Sequence, residues 1–188
     1  EELWISSEWS FAPDNEIYLL PANIEMVFLK DRKNHLEIVW VHKTLETNLR
    51  QSYISTPEEI IEFAQKVGFP EQGIIMRPDE HNMKEIYKDI ATLEELLARG
   101  TYWLKKSTKN TIFLETDMRA HRNPTRQKAI QKATEDLINT IHSLCPQCGF
   151  PWFTIRDTKP WLPCQICGLP TELPLYRVYR CMHCHYEM

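Results

Sequence analysis

The stretch CPQCGFPWFTIRDTKPWLPCQICGLPTELPLYRVYRCMHC, residues 145–184, contains all six cysteines of the chain as three Cys-x-x-Cys pairs. Two residues between cysteines let both sulfurs of a tight turn face one ion, and two such turns complete the tetrahedral thiolate shell that zinc prefers. Fifteen residues separate the first pair from the second, a spacing typical of zinc sites, and thirteen separate the second from the third. We therefore predict one or two Zn²⁺ ions, bound by Cys145, Cys148, Cys164, Cys167, Cys181 and Cys184.

The spacing leaves open which pairs share an ion. The second and third pairs, at 164–167 and 181–184, favour an ordinary zinc ribbon with a hairpin between them. The first pair then needs other partners, either at a second ion completed by a histidine or by replacing one of the other pairs in the ribbon. The candidate histidines are His142, His183 and His185.

Length and composition limit the class of protein. A chain of 188 residues, 43% hydrophobic and 26% charged, accommodates one domain with its own core and a small metal-stabilised module. We place these at residues 1–144 and 145–188. No apolar run approaches the roughly 20 residues that a membrane-spanning helix needs, which favours a cytoplasmic protein without a membrane partner. The net charge of −4 argues against a nucleic-acid-binding surface over the whole molecule.

The start of the chain reads as the end of a buried strand. The sequence begins at Glu1 without a methionine and continues with an alternating apolar segment. Because a domain rarely begins inside such a strand, we expect a missing amino-terminal segment or a partner chain to cover its edge.

Local patterns upstream of the cysteines predict a hairpin and two capped helices. The β-rich runs 24–30 and 36–42 flank a polar turn. Thr56, followed by Pro57 and Glu59, opens a helix over 57–67. Thr92 opens a second helix, which we expect to stop near Gly100.

Two more strands and the longest helix complete the prediction. Residues 73–76 and 110–115 read as short buried strands, and a long amphipathic helix begins at Asn123 and Pro124. The order of elements indicates an α/β fold, with α+β as the alternative. We expect a mixed or largely parallel sheet with covering helices, plus a small C-terminal zinc-ribbon module.

The segment ETDMRAHRNPTR, residues 115–126, combines a strand end, a helix start and a dense set of charges. Helix amino ends bind anions through free N–H groups and the helix dipole, so the segment predicts a phosphate or carboxylate pocket. Arg119 and Arg126 would clamp the anion, with Asn123 at the helix cap. Asp117 with Glu115 would hold Mg²⁺ or act as a base, and His121 would transfer a proton. The alternative is an internal ion-pair cluster that holds the loop.

These motifs together resemble a bacterial family known only by a domain-of-unknown-function label. The resemblance rests on ETDMRAHRNPTR, on CPQCGFPWF at 145–153, on LPCQICGLPT at 162–171 and on the final cysteine pair. It covers residues 110–186, and extends loosely to 68–78 and 7–13. The family pattern has glycine at the positions of Trp9 and Ala12 and methionine at that of Gln127, and its members are longer at the amino end. The resemblance implies a zinc-ribbon-like C-terminus and no particular activity.

Three functions fit these observations. The first is a phosphorylated or nucleotide-like anion bound at the 115–126 loop, which includes a metal-assisted hydrolase or another phosphoryl-handling enzyme. The second is a nucleic-acid-binding zinc ribbon, disfavoured because residues 145–188 carry four Lys and Arg against three acids. The third is a scaffold whose ribbon binds a partner protein. An exposed hydrophobic patch on the ribbon would favour the third function.

Overall fold

The computed structural model describes residues 2–13 and 21–188, which contain eight strands in three sheets and three α-helices. The strands are β1 (Leu3–Pro13), β2 (Pro21–Asp31), β3 (Leu36–Thr44), β4 (Gln51–Ile54), β5 (Ile74–Arg77), β6 (Ile112–Thr116), β7 (Thr154–Lys159) and β8 (Tyr176–Arg180). The helices are α1 (Pro57–Val67), α2 (Leu93–Lys106) and α3 (Pro124–Ile141). The fold is mixed α and β, as predicted, with a small cysteine-rich hairpin at its end.

The central sheet has the order β4-β6-β5, and both pairings are antiparallel. We expected a mixed or largely parallel sheet because strands and helices alternate along the chain. Instead, β6 inserts between β4 and β5 and runs against both of them. The strand–helix–strand unit β4-α1-β5 is thereby split, and its two parallel strands are not neighbours.

Eleven buried residues from α1, α2, the central sheet and the segment before α2 form its core, among them Ile60, Leu96 and Leu114. Helix α1 begins and ends where the capping box and Gly68 predicted. Helix α2 was predicted to stop near Gly100 but continues to Lys106. Gly100 is buried inside it, and a Cβ there would lie 2.4 Å from Cδ1 of Ile60. This glycine permits close helix packing and does not end the helix.

The first sheet has the order β1-β2-β3 and contains the predicted hairpin. The carboxylate of Asp31 accepts a hydrogen bond from the backbone N–H of Asn34 at 3.1 Å, which fixes the turn. A second core joins Val27, Leu36 and Ile38 to Ala133 and Leu137 of α3.

By contacts, the chain divides into two compact units, each discontinuous in sequence. Unit 1 contains residues 1–8, 26–41 and 132–188, and unit 2 contains residues 9–25 and 42–131, with residues 1 and 14–20 outside the description. The cysteine-rich tail thus belongs to unit 1, and the 115–126 loop belongs to unit 2. A domain boundary after residue 144 stays a prediction. None of the helices in the described ranges is both long and apolar enough to span a bilayer.

Candidate metal centre and the 115–126 loop

The β7–β8 hairpin brings the first and third cysteine pairs together. The strands pair antiparallel, with Thr154 opposite Arg180 and Lys159 opposite Tyr176. The first pair precedes β7 and the third follows β8, so both lie at the same end of the hairpin, whereas the second pair lies in the connection at the other end. The ribbon favoured from the sequence, made by the second and third pairs, is therefore wrong. The polar strand TIRDTK, which the sequence did not reveal as a strand, decides the pairing.

The sulfurs of Cys145, Cys148, Cys181 and Cys184 all lie within 4.8 Å of one another. The Sγ atoms of Cys145 and Cys184 are 3.7 Å apart, and those of Cys148 and Cys181 are 3.6 Å apart. A tetrahedron with zinc–sulfur bonds of about 2.3 Å has edges of about 3.8 Å. Donor type, number and spacing therefore fit one Zn²⁺. Within residues 2–13 and 21–188, this is the only group of three or more Cys, His, Asp or Glu side chains close enough to share an ion.

Each knuckle of this cluster has the same backbone structure. The N–H of Cys145 donates to the carbonyl of Phe150 at 2.9 Å, and the N–H of Cys181 donates to the carbonyl of Tyr186 at 2.9 Å. The residue four positions after each first cysteine has a positive φ, 71° at Gly149 and 61° at His185, and its N–H donates back to that cysteine. Such turns leave both sulfurs on one side.

Backbone N–H groups stabilise one thiolate before any ion binds. Burial raises the pKa of the Cys181 thiol, but hydrogen bonds from the backbone N–H groups of Cys184 and His183, together with those to the Cys148 and Cys184 thiols, lower it to about 6. The pKa of Cys148 rises to about 12. The Phe150 backbone lowers that value, whereas burial and the three neighbouring thiols raise it. A cation would allow all four thiols to ionise.

The ribbon core around these cysteines is small and aromatic. Cys145, Cys181 and Phe153 are buried, and Phe150, Tyr179 and Tyr186 pack against them. The ring of Phe153 lies 5.8 Å from Tyr179 and 6.0 Å from Tyr186. Four of the aromatic residues near the knuckles therefore serve as core.

The three candidate histidines stand outside the four-sulfur group. His142, His183 and His185 are all exposed, and the ring of His183 stacks on Phe150 at 4.9 Å. Four thiolates from the first and third pairs would be enough for a tetrahedral shell without them.

The second pair, Cys164 and Cys167, lies in the β7–β8 connection, residues 160–175, which we call the arm. Isolated pairing of Pro163 with Pro170 closes the arm around the two cysteines. Its apolar side chains are exposed, with Ile166 at 97%, Trp161 at 69% and Leu169 at 66% of full accessibility. The ribbon thus exposes several apolar side chains in the segment that contains a cysteine pair.

In the 115–126 loop, Asp117 and Arg119 form an internal ion pair. Asp117 is fully buried, and both of its carboxylate oxygens accept from Arg119, at distances of 2.6–3.1 Å. The outer side of the Arg119 guanidinium donates to Asp89 at 2.7 and 3.2 Å. These two carboxylates, Asp117 first, raise the pKa of Arg119.

Arg126 has different partners. Its guanidinium donates to both oxygens of the buried Glu25, at 2.6 and 3.0 Å, and to the carbonyl of Met118. The ring of Trp9 lies 4.7 Å from its guanidinium carbon. The structure therefore does not bring Arg126 and Arg119 to one ligand.

Asn123 caps α3, as predicted. Its Oδ1 accepts from the N–H of Arg126 at 3.0 Å. Its Nδ2 donates to Asn48 at 3.0 Å and to the carbonyl of Asp117 at 3.3 Å. The buried amide of Gln72 donates to the same carbonyl at 3.0 Å. The cap is thus part of a buried polar network that fixes the loop.

The remaining two predicted residues lie apart from that network. Glu115 accepts from Arg77 at 2.6 Å, so its carboxylate, like that of Asp117, faces a guanidinium. His121 is exposed, and its Nε2 lies 4.0 Å from Asp89. No group of potential metal ligands in the described ranges includes Asp117 or Glu115.

The sequence did not identify Glu25, Asp89, Asn48 or Gln72 as members of this site. Glu25 lies 101 residues before its partner Arg126, and Asp89 lies 30 before Arg119. The only local signal was a charged residue inside the apolar run 24–30, where Glu25 occupies a buried position.

Comparison with known proteins gives a family but no activity. Neither the curated proteins nor the solved structures contain a significant match to the chain. One family model matches residues 1–188, the whole length of the chain. The chain therefore belongs to the family described as a domain of unknown function (DUF6671).

Proposed function

We propose that this protein binds one structural zinc ion through the first and third cysteine pairs, and that the metal holds a hairpin whose arm is an interaction surface. The observation that carries the proposal is the cluster of four sulfurs within 4.8 Å. Four thiolates fill the tetrahedral shell, whereas catalytic zinc keeps a position open for water or substrate. A structural role follows from that closed shell. Reducing conditions preserve such thiols, so we place the protein in the cytoplasm.

The composition of the arm favours a protein as its partner rather than a nucleic acid. Residues 160–175 contain no Lys or Arg and a single acid, Glu172, so the arm offers no positive charge to a phosphate backbone. Its exposed Trp161, Ile166 and Leu169 instead form the kind of apolar surface that marks protein–protein contact sites.

Zinc content tests the metal centre. The double variant Cys145→Ser/Cys148→Ser should lose the zinc of the first and third pairs, because two of its four ligands are gone. Gln147→Ala, at an exposed position of the same knuckle, should keep the metal. Metal analysis of both proteins after purification decides. Retention of zinc at the wild-type level in the double variant would contradict the proposal.

A second candidate function, the binding of a phosphorylated or nucleotide-like anion, has one observation in its favour. Asp89 is an exposed carboxylate in positive surroundings, where hydrogen bonds from Arg119 and the nearby charges of His121 and Arg122 lower its pKa. An ion pair as exposed as this one is weak, so a doubly charged phosphate can displace Asp89. Asp117 holds the inner side of the guanidinium in place, which reduces the cost of ordering it for a ligand. In a hydrolase, the exposed His121 would exchange the proton.

Melting temperatures measured with inorganic pyrophosphate test this second function. The ligand should raise the melting temperature of the wild type by mass action, and Asp89→Asn should enlarge the shift because the competing carboxylate is gone. Arg119→Ala should abolish the shift. Arg99→Ala removes another exposed arginine, paired with Glu95 at 2.9 Å, and should leave the shift unchanged. Absence of a shift in both the wild type and Asp89→Asn would exclude anion binding at this loop.

A further inference from the structure

We propose that Cys164 and Cys167 are half of a second zinc site, completed by the same pair of a second copy of this chain. The proposal rests on the structural-zinc function above, and it adds a partner and a second metal site. It makes the protein a zinc-bridged dimer through the arm.

The backbone around Cys164 and Cys167 has the structure of a metal-binding knuckle. The N–H of Cys164 donates to the carbonyl of Leu169 at 2.7 Å, and the N–H of Gly168 donates to the carbonyl of Cys164 at 2.8 Å. Gly168 has a φ of 72°. The two knuckles of the four-sulfur cluster have the same two hydrogen bonds and the same left-handed residue, at the same distances in sequence from their first cysteine. The second pair is therefore built as a metal knuckle.

A knuckle supplies two ligands, and zinc requires two more. In the described chain, no third Cys, His, Asp or Glu atom joins Cys164 and Cys167 within ion-binding distance. Each of the other two knuckles obtains its missing ligands from a second knuckle. The first and third pairs already serve each other, so the matching knuckle for the arm is that of another copy.

Two-fold symmetry fits this arrangement. An isologous interface joins the same surface of both copies, so two sulfurs from each complete a four-sulfur shell and close the assembly as a dimer. Residues 160–175 carry one negative charge, so two arms meet with little repulsion. The contact would also bury Ile166, which stands between the two cysteines and is 97% exposed.

The metal is expected to supply most of the affinity. A stable dimer interface usually involves about 20–30 residues on each side, whereas the arm spans only residues 160–175. Dimerisation should therefore depend on zinc.

The test measures mass in solution and zinc content on the full chain, saturated with zinc and under reducing conditions. The wild type should be a dimer with about three zinc ions per two chains, one in each four-sulfur cluster and one shared. Cys164→Ser/Cys167→Ser should be a monomer with about one zinc per chain. Ile166→Lys keeps every sulfur but adds a positive charge to each copy at the proposed contact, and it should weaken the dimer at least tenfold.

A wild-type monomer at saturating zinc would overturn the proposal, and so would a dimer that persists in Cys164→Ser/Cys167→Ser. The test separates the two metal centres. If Cys145→Ser/Cys148→Ser keeps its full zinc content, the proposed function fails. If Cys145→Ser/Cys148→Ser loses zinc but Cys164→Ser/Cys167→Ser and Ile166→Lys keep the mass and zinc content of the wild type, the four-sulfur centre stands and the zinc bridge fails.

Discussion

Two cores of the molecule, one in unit 2 and one in the ribbon of unit 1, are built on different physics. Eleven buried apolar residues hold α1 and α2 against the central sheet. The ribbon core has three buried residues, two of which are cysteines. Apolar burial contributes about 1.5–3 kcal/mol for each large side chain, so the first core is stable through packing. The ribbon lacks that source, which indicates that a module of this size depends on its metal.

Removal of zinc should give the largest difference in stability between the two cores. Structural zinc contributes about 10–16 kcal/mol to the folding of small metal-binding modules. A chelator should therefore unfold the β7–β8 ribbon and leave the central sheet folded. Hydrogen exchange should show rapid exchange at β7 and β8 and continued protection of β6. Protected β7 and β8 amides in the metal-free protein would mean that the aromatic side chains suffice.

Loss of the buried charge pair should be the largest effect of a single substitution in unit 2. Arg126→Met leaves the carboxylate of Glu25, fully buried, without its guanidinium, and breaking such a pair costs about 3–5 kcal/mol. Lys132→Met removes a solvent-exposed pair with Asp136 and should cost far less, because solvent screens that pair. Urea denaturation measures both. Similar losses of stability in the two variants would show that the Glu25–Arg126 pair is not a part of the core. Glu25→Met/Arg126→Met should be more stable than Arg126→Met, because it leaves no buried carboxylate unpaired.

Close packing inside the apolar core gives a smaller effect. Gly100→Ala places a methyl group against Cδ1 of Ile60, and overpacking costs about 1–3 kcal/mol, partly offset by the better helix propensity of alanine. The expected net loss of stability is about 1 kcal/mol. Ile60→Val removes the methyl group that clashes. In the Gly100→Ala background, Ile60→Val should therefore lower the free energy of unfolding by less than it does in the wild type. Additive losses in the double-mutant cycle would refute this account of Gly100.

Loss of a helix cap should give a change no larger than that of Gly100→Ala. The Oγ1 of Thr92 accepts from the N–H of Glu95 at 3.2 Å, and Thr92→Ala should cost about 1 kcal/mol. The fluorescence-monitored urea midpoint should shift, while zinc content stays constant. A change in metal binding would show that the two cores are coupled.

Local sequence predicted most of the elements but not their partners. The capping box at Thr56 and the left-handed Gly68 determine both ends of α1 through neighbouring residues alone. Gly100 looked like a helix stop because its contact with Ile60, 40 positions away, is invisible locally. Cysteine spacing likewise suggested neighbouring pairs, whereas the register of β7 and β8 joins Cys145 to Cys184 across 39 residues.

For the candidate sites, too, the sequence predicted the residues but not their partners. The 115–126 loop stood out through its charges, but whether its arginines are available depends on Glu25 and Asp89, which other segments supply. The cysteines predicted a metal site, because four close thiolates favour an ion such as zinc. Their grouping required the fold.

X-ray absorption at the zinc edge, on Cys164→Ser/Cys167→Ser protein, tests the central claim most directly, because only the first and third pairs remain. The account predicts one zinc ion with four sulfur neighbours at about 2.3 Å. A shell with nitrogen or oxygen neighbours, or a protein without zinc, would contradict it.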